Sequence, residues 1–139
     1  MDILTAFLFT WVNVPYQWGG DTRYGIDCSG LIHRTLKTFN IYTGPKLSAQ
    51  QLLDKFSNTW QWNDWRPGAI AFYGSDAKNI DHVAILLTPQ IVIEARGGDE
   101  TTTTKEIAEQ QGAIVDVSYI KHRPDFLFVL RPRYYFDPI

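Results

Sequence analysis

His82-Val83-Ala84-Ile85-Leu86-Leu87-Thr88-Pro89-Gln90-Ile91-Val92-Ile93-Glu94-Ala95 sets the architecture of this chain. Two short apolar runs, rich in β-branched residues, flank a Thr-Pro-Gln turn. They predict antiparallel strands from His82 to Leu87 and from Ile91 to Ala95. With a three-residue loop, Leu87 pairs with Ile91 and Ala84 with Glu94. His82 and Glu94 then form a diagonal pair on one face, roughly 7–8 Å apart at the backbone. A two-residue loop puts them on opposite faces. A glutamate inside an apolar strand needs a partner, because a buried unpaired carboxylate is costly. His82 and Arg96 are the candidates. Ala84 is small and leaves room between them for a packed helix.

Outward from the hairpin, Pro67-Gly68 launches a strand over Ala69 to Tyr73. Ile114 to Tyr119 and Phe126 to Leu130 read as the last strands, and Pro132 ends the final one. Upstream the period changes. Ile3, Leu4, Phe7, Leu8 and Trp11 fall at helical spacing, with Asp2 as a cap and the helix running to about Val12 before Pro15. A second helix is predicted to start at about Cys28, with Leu31, Ile32, Leu36 and Phe39 as its stripe and Asn40 as its stop. Ser48 and Gln51 fit a capping box that opens a third helix through Leu52, Leu53 and Phe56. Ser57 to Trp65 is a Trp-rich loop. Thr101 to Gln111 is a helix or an ordered loop, stopped by Gly112. Helices first and strands afterwards argue for an α+β fold with N-terminal helices on a small antiparallel sheet. No repeat or linker divides residues 1–139, so one domain is expected.

Apolar residues make up 45% of the 139 and charged residues 20%, a globular composition that excludes disorder. Thirteen basic residues face fifteen acidic ones, for a formal charge of -2. No basic patch stands out, so no nucleic-acid partner is expected. The apolar start has no basic flank and no cleavage site, and is too short to span a bilayer. Neither an export signal nor membrane insertion is therefore expected.

One cysteine is present, which rules out an internal disulfide. A lone cysteine is ordinarily a small buried hydrophobe, but Cys28 stands at a predicted helix mouth. There the unpaired backbone N–H groups and the helix dipole favour an anion, and thiolate is the reactive form of a thiol. The same N–H groups can receive a developing oxyanion. Gly30 keeps the first turn free of bulk, and Asp27 is either the helix cap or a substrate-binding group. A thiol nucleophile needs a base, and the base an orienter. His33 lies about 140° around the helix from Cys28 and reads as a surface or helix-packing residue. His122, in the charged turn Lys121-His122-Arg123-Pro124, reads as a solvated loop residue. His82 remains as base, with Glu94 as orienter; Asp81, Asp99 or a backbone carbonyl are alternatives for that last role. Three histidines with one cysteine form no recognised zinc set, so no metal and no cofactor is expected. Trp18, Trp60, Trp62 and Trp65 are candidates for lining a groove or for packing.

Pro15-Tyr16-Gln17-Trp18-Gly19-Gly20 with Asp27-Cys28-Ser29-Gly30-Leu31 resembles the paired signature of NlpC-type cell-wall cysteine peptidases. The likeness continues through Arg66-Pro67-Gly68-Ala69-Ile70-Ala71-Phe72, Asp81-His82-Val83-Ala84-Ile85, Ile93-Glu94-Ala95 and Leu130-Arg131-Pro132-Arg133. The resemblance implies a papain-like fold and hydrolysis of peptidoglycan stem peptides, most often between D-glutamate and a diamino acid. It implies Cys28 as nucleophile and His82 as base. It also implies Tyr16 beside the nucleophile, for the oxyanion or substrate, and Asp27 as an acid that binds a free amine in some members. Ser29 and Trp18 join them as candidate substrate-binding residues. Glu94 stands where the family most often has histidine, and Ala69 where an acid commonly follows the Pro-Gly turn. A bare domain of this type fits a phage lysin, a phage tail component or a toxin, delivered to the wall through virion or secretion-apparatus partners. A wall amidase, an acyltransferase or a non-catalytic peptide-binding module on the same scaffold are the alternatives.

Overall fold

The computed structural model describes residues 2–133. Asp2 accepts from the backbone of Thr5 and opens α1 (Ile3–Phe9). This helix stops short of Val12, because Thr10 caps it and single turns carry the chain to Asn13, whose φ is 75°. Two short strands that alternation had no length to reveal follow, β1 (Asp21–Thr22) and β2 (Gly25–Ile26). Then come α2 (Cys28–Thr38) and α3 (Ala49–Phe56), the latter with the expected Ser48–Gln51 capping box. Inside the Trp-rich loop lies β3 (Gln61–Trp62). The strands β4 (Ile70–Gly74), β5 (Ile80–Leu86) and β6 (Ile91–Arg96) precede α4 (Lys105–Gln111), capped by Thr104 and closed by Gly112. The chain ends with β7 (Ile114–Tyr119) and β8 (Phe126–Arg131).

The main sheet is antiparallel in the order β3-β8-β4-β5-β6-β7. Consecutive strands β7 and β8 are therefore not neighbours. Residues 120–125 cross the sheet between them, and the buried hydroxyl of Tyr73 donates to the Ile120 carbonyl at 2.6 Å on the way.

Alternation along the strands divides the interior. Phe72, Val83, Ile85, Ile93 and Ala95 face the helices and share one core with Leu8, Leu31, Ile32, Leu36 and Leu52. Ala71, Tyr73, Ala84, Leu86 and Val92 form a smaller cluster on the far face with Ile120 and Val129. This corrects one expectation. Ala84 packs on the far face, so it does not make room for a helix. His33 is buried within α2, which leaves helix packing, of the two roles expected for it, and removes the surface one. Among the described residues no helix is long and apolar enough to cross a membrane.

Candidate active site

Backbone bonds lay the aromatic turn along the mouth of α2. The amide of Tyr16 donates to Ala113 at 2.9 Å, that of Gln17 to Ile26 at 3.1 Å, and that of Trp18 to Thr102 at 2.8 Å. Asp27 fastens this turn to the helix. Its Oδ1 accepts from the Gly30 amide at 2.7 Å, as an N-cap does, and its Oδ2 from the Gly19 amide at 2.9 Å. The turn lies so close to the helix that a Cβ on Gly30 would collide with the Gly20 carbonyl oxygen. Cys28, partly buried, is the first residue of α2. Buried Ser29 turns its hydroxyl to Asp27 at 3.3 Å.

His82 comes from the opening turns of β5, opposite Tyr73, where the β4–β5 register shifts at Tyr73–Gly74. The hairpin register is the three-residue-loop form: Ile85 opposes Ile93, Leu86 opposes Val92, and the Leu87 amide donates to Ile91 at 2.8 Å. His82 and Glu94 consequently share the far face, and Nε2 of His82 donates to Oε1 of Glu94 at 2.8 Å. The Cys28 side chain is near enough to act on this imidazole. With Nε2 committed to Glu94, Nδ1 is the nitrogen available to the thiol. Tyr73 supports the ring from below, with centroids 5.2 Å apart.

Glu94 is fully buried and holds a second imidazole. Nε2 of His122 lies 2.9 Å from each carboxylate oxygen. The reading of His122 as a solvated loop residue is thereby corrected: the crossing of residues 120–125 brings it under the sheet to Glu94, with its side chain 29% exposed. Neither alternative carboxylate is bonded to His82. Asp81 pairs with Arg123 at 2.9 Å, and Asp99 accepts from the Thr101 amide and hydroxyl in its own turn.

The charges answer to these contacts. Burial alone would push the His82 imidazole down, but hydrogen bonds to Cys28 and Glu94, and the negative charge on both, raise it to about 9. Burial works to raise Glu94; its hydrogen bond to His82 and the two imidazoles' charges outweigh this and hold the carboxyl below its usual range. Tyr16 is buried, and that burial, followed by the charges of Cys28 and Asp27, pushes its phenol far above the ordinary value. It therefore stays protonated, an O–H group in the cavity that His82 also lines. Gly98 admits its ring, since a Cβ there would strike Tyr16.

Two cavities flank this arrangement. One, of about 430 Å³, is lined by Asp27, Ser29, Lys46, Ser48 and Gln50. The other, of about 290 Å³, is lined by Tyr16, His82, Asp99, Glu100 and Arg123. Trp18, half exposed, and Asp81 line both. The remaining candidate tryptophans pack elsewhere: Trp60 stacks on Phe56, Trp62 tilts on Phe128, and Trp65 on Phe126. Among the described residues no cluster of His, Cys, Asp and Glu could hold a metal ion. Sequence reasoning missed Lys46 and His122, because each reaches the site through a contact distant in the chain.

A helix-borne thiol facing a histidine on an antiparallel sheet defines an α+β, papain-like domain. The chain belongs to the NlpC/P60 family, whose profile matches residues 13–122. No curated protein matches it. Its fold is similar to that of the NlpC/P60 domain of the peptidoglycan hydrolase SagA, at 21% identity and a TM-score of 0.67, with 91% of this chain and 94% of that one covered. The P60 domain of an antigen from M. avium subspecies paratuberculosis is 23% identical, with a TM-score of 0.66 and 95% and 93% covered. NlpC1 from Trichomonas vaginalis is 17% identical, with a TM-score of 0.68 over 97% of this chain. This chain spans only 44% of the Trichomonas protein's length.

Proposed function

We propose that this protein is a cysteine endopeptidase that cuts the stem peptides of bacterial peptidoglycan between D-glutamate and a diamino acid. The observation that carries the reading is the buried His82–Glu94 pair, 2.8 Å apart, with the charge of Cys28 at the mouth of α2 acting on the same imidazole. Membership of the family, and the likeness to a peptidoglycan hydrolase domain, supply the substrate class.

The thiol proton passes to Nδ1 of His82, and the sulfur attacks the amide carbonyl carbon. Glu94 stabilises the imidazolium and keeps the ring facing the thiol. The oxyanion that forms is met by the Cys28 amide at the helix mouth and by the Tyr16 hydroxyl. As the intermediate collapses, His82 returns its proton to the leaving nitrogen and the acyl group stays on sulfur as a thioester. Water, deprotonated by His82, then attacks the thioester, releasing the carboxylic acid and restoring the thiol. Because His82 must reach the leaving nitrogen, the leaving half lies in the cavity that His82 lines and the acyl half in the other. The carboxylates of Asp99 and Glu100 in the first cavity suit an amine-bearing diamino acid.

Digestion of purified muropeptides by wild type and Cys28→Ala, with products read by mass spectrometry, tests this. A Cys28-dependent cut after D-glutamate is expected. A cut at the sugar–peptide bond makes the protein an amidase instead, and no cut by folded wild type removes the peptidase reading.

A further inference from the structure

We infer that Tyr73 is a positioning residue for the His82–Glu94 pair: its hydroxyl ties down the crossing of residues 120–125, and that crossing holds Glu94 through His122. The effect on turnover rests on the peptidase reading, while the tie itself does not.

Glu94 is fully buried on β6 and meets two imidazoles. His82 takes Oε1 at 2.8 Å, and Nε2 of His122 lies 2.9 Å from both oxygens. The terminal torsion of a glutamate is soft, so one bond to His82 does not fix the carboxylate plane. His122, reaching both oxygens, does. It also gives Oε2 a donor, without which a buried carboxylate oxygen is costly.

His122 lies outside the strands, so whatever holds the crossing holds His122. Two residues before it, Ile120 donates its amide to the Gln90 carbonyl at 2.8 Å, buries its side chain beside Leu86 and Val92, and accepts the Tyr73 hydroxyl at 2.6 Å. Burial, and then the charge of Glu94, push the Tyr73 phenol above its ordinary value, so it remains a donor. Three residues after His122, the Asp125 carbonyl accepts from the Gly74 amide at 3.0 Å. Between these ends Arg123 reaches Asp81 at 2.9 Å, but the Asp81 side chain is 66% exposed, and surface ion pairs hold little. A buried hydrogen bond has no water to compete with it, so the Tyr73 hydroxyl is the stronger side-chain tie. The Tyr73 ring lies 5.2 Å from that of His82 and 6.1 Å from that of His122, between centroids. One buried side chain thus packs on the base and, through its hydroxyl, fastens the base's support.

Tyr73→Phe keeps the ring under His82 and removes only the hydroxyl. Its kcat on muropeptides is expected to fall by about fivefold to tenfold, the scale of one buried hydrogen bond, with KM nearly unchanged. In a His122→Ala background the same substitution is expected to cost nothing further, because both act through one contact. The Nε2 proton of His82, observed by NMR with nitrogen-15 labelling, reads the support without substrate. It is expected as a slowly exchanging downfield signal in wild type, and to broaden or vanish in each single variant. Losses that multiply in the double variant overturn the inference, as does an unchanged His82 signal in Tyr73→Phe. If Tyr73→Phe does not fold, His122→Ala still decides, since an unchanged His82 signal there breaks the chain at its middle link. A wild type that cuts no muropeptide, with the His82 signal lost in both variants, removes the peptidase reading and upholds the tie.

Discussion

Glu94→Gln keeps the shape of a fully buried side chain and removes its charge. The fold holds the His82 imidazole at about 9, against an ordinary value of 6.5. At 1.36 kcal/mol for each pH unit, that is about 3 kcal/mol in favour of the imidazolium. Burial opposes it, so the gross contribution of Cys28 and Glu94 is larger still. Giving Glu94 about half yields about 2 kcal/mol, or about thirtyfold in the equilibrium between the charged and the neutral ring. The sign follows from the direction of the shift. The protonated ring is favoured below about 9 in wild type, and removing the carboxylate lets burial pull that limit back towards or below 6.5. Cys28 is the chain's one cysteine, so alkylation by iodoacetamide reports it alone and needs no substrate. Above its lowered limit the alkylation rate of Glu94→Gln is expected to fall below that of wild type, by up to about thirtyfold, with the His82 ring losing its proton at lower pH by NMR. Equal alkylation rates across the pH range, with an unshifted His82 titration, would refute the role given to the carboxylate.

His122→Ala removes a donor lying 2.9 Å from both oxygens of Glu94. Turnover of muropeptides is expected to fall about tenfold, on the scale of one charge-assisted hydrogen bond, and His122→Gln, which keeps a donor, is expected to restore part of it. Full activity in His122→Ala would make that contact incidental. Gly98→Ala places a methyl group against the Tyr16 ring. Its kcat is expected to fall at least tenfold and its melting temperature to drop, because the buried ring that carries the hydroxyl must move. A wild-type kcat would remove Tyr16 from the oxyanion site.

The parts of the site built by neighbours in the chain were legible in the sequence. Asp27, Cys28 and Gly30 declare a helix mouth by themselves. A three-residue loop was enough to put His82 and Glu94 on one face. What that hairpin could not disclose is which face, and the pair sits opposite the helices, beside Tyr73. His122 was misread because its surroundings come from a crossing between non-adjacent strands, which no local pattern encodes. The ion pair of Lys46 with Asp27 spans nineteen positions and was invisible for the same reason. The two-residue strands β1, β2 and β3 are too short for alternation to show.

The crossing of residues 120–125 bears on when the site comes into being. Cys28 leaves the ribosome early, its proposed base His82 more than fifty residues later, and the second imidazole on Glu94 later still. During synthesis the thiol therefore lacks its proposed base. Contacts of such separation also form late when a whole chain refolds. A nascent or truncated chain that lacks this crossing carries the nucleophile but not its full support. On the proposed mechanism, the order of the elements keeps the thiol unassisted until the fold that positions it is nearly complete.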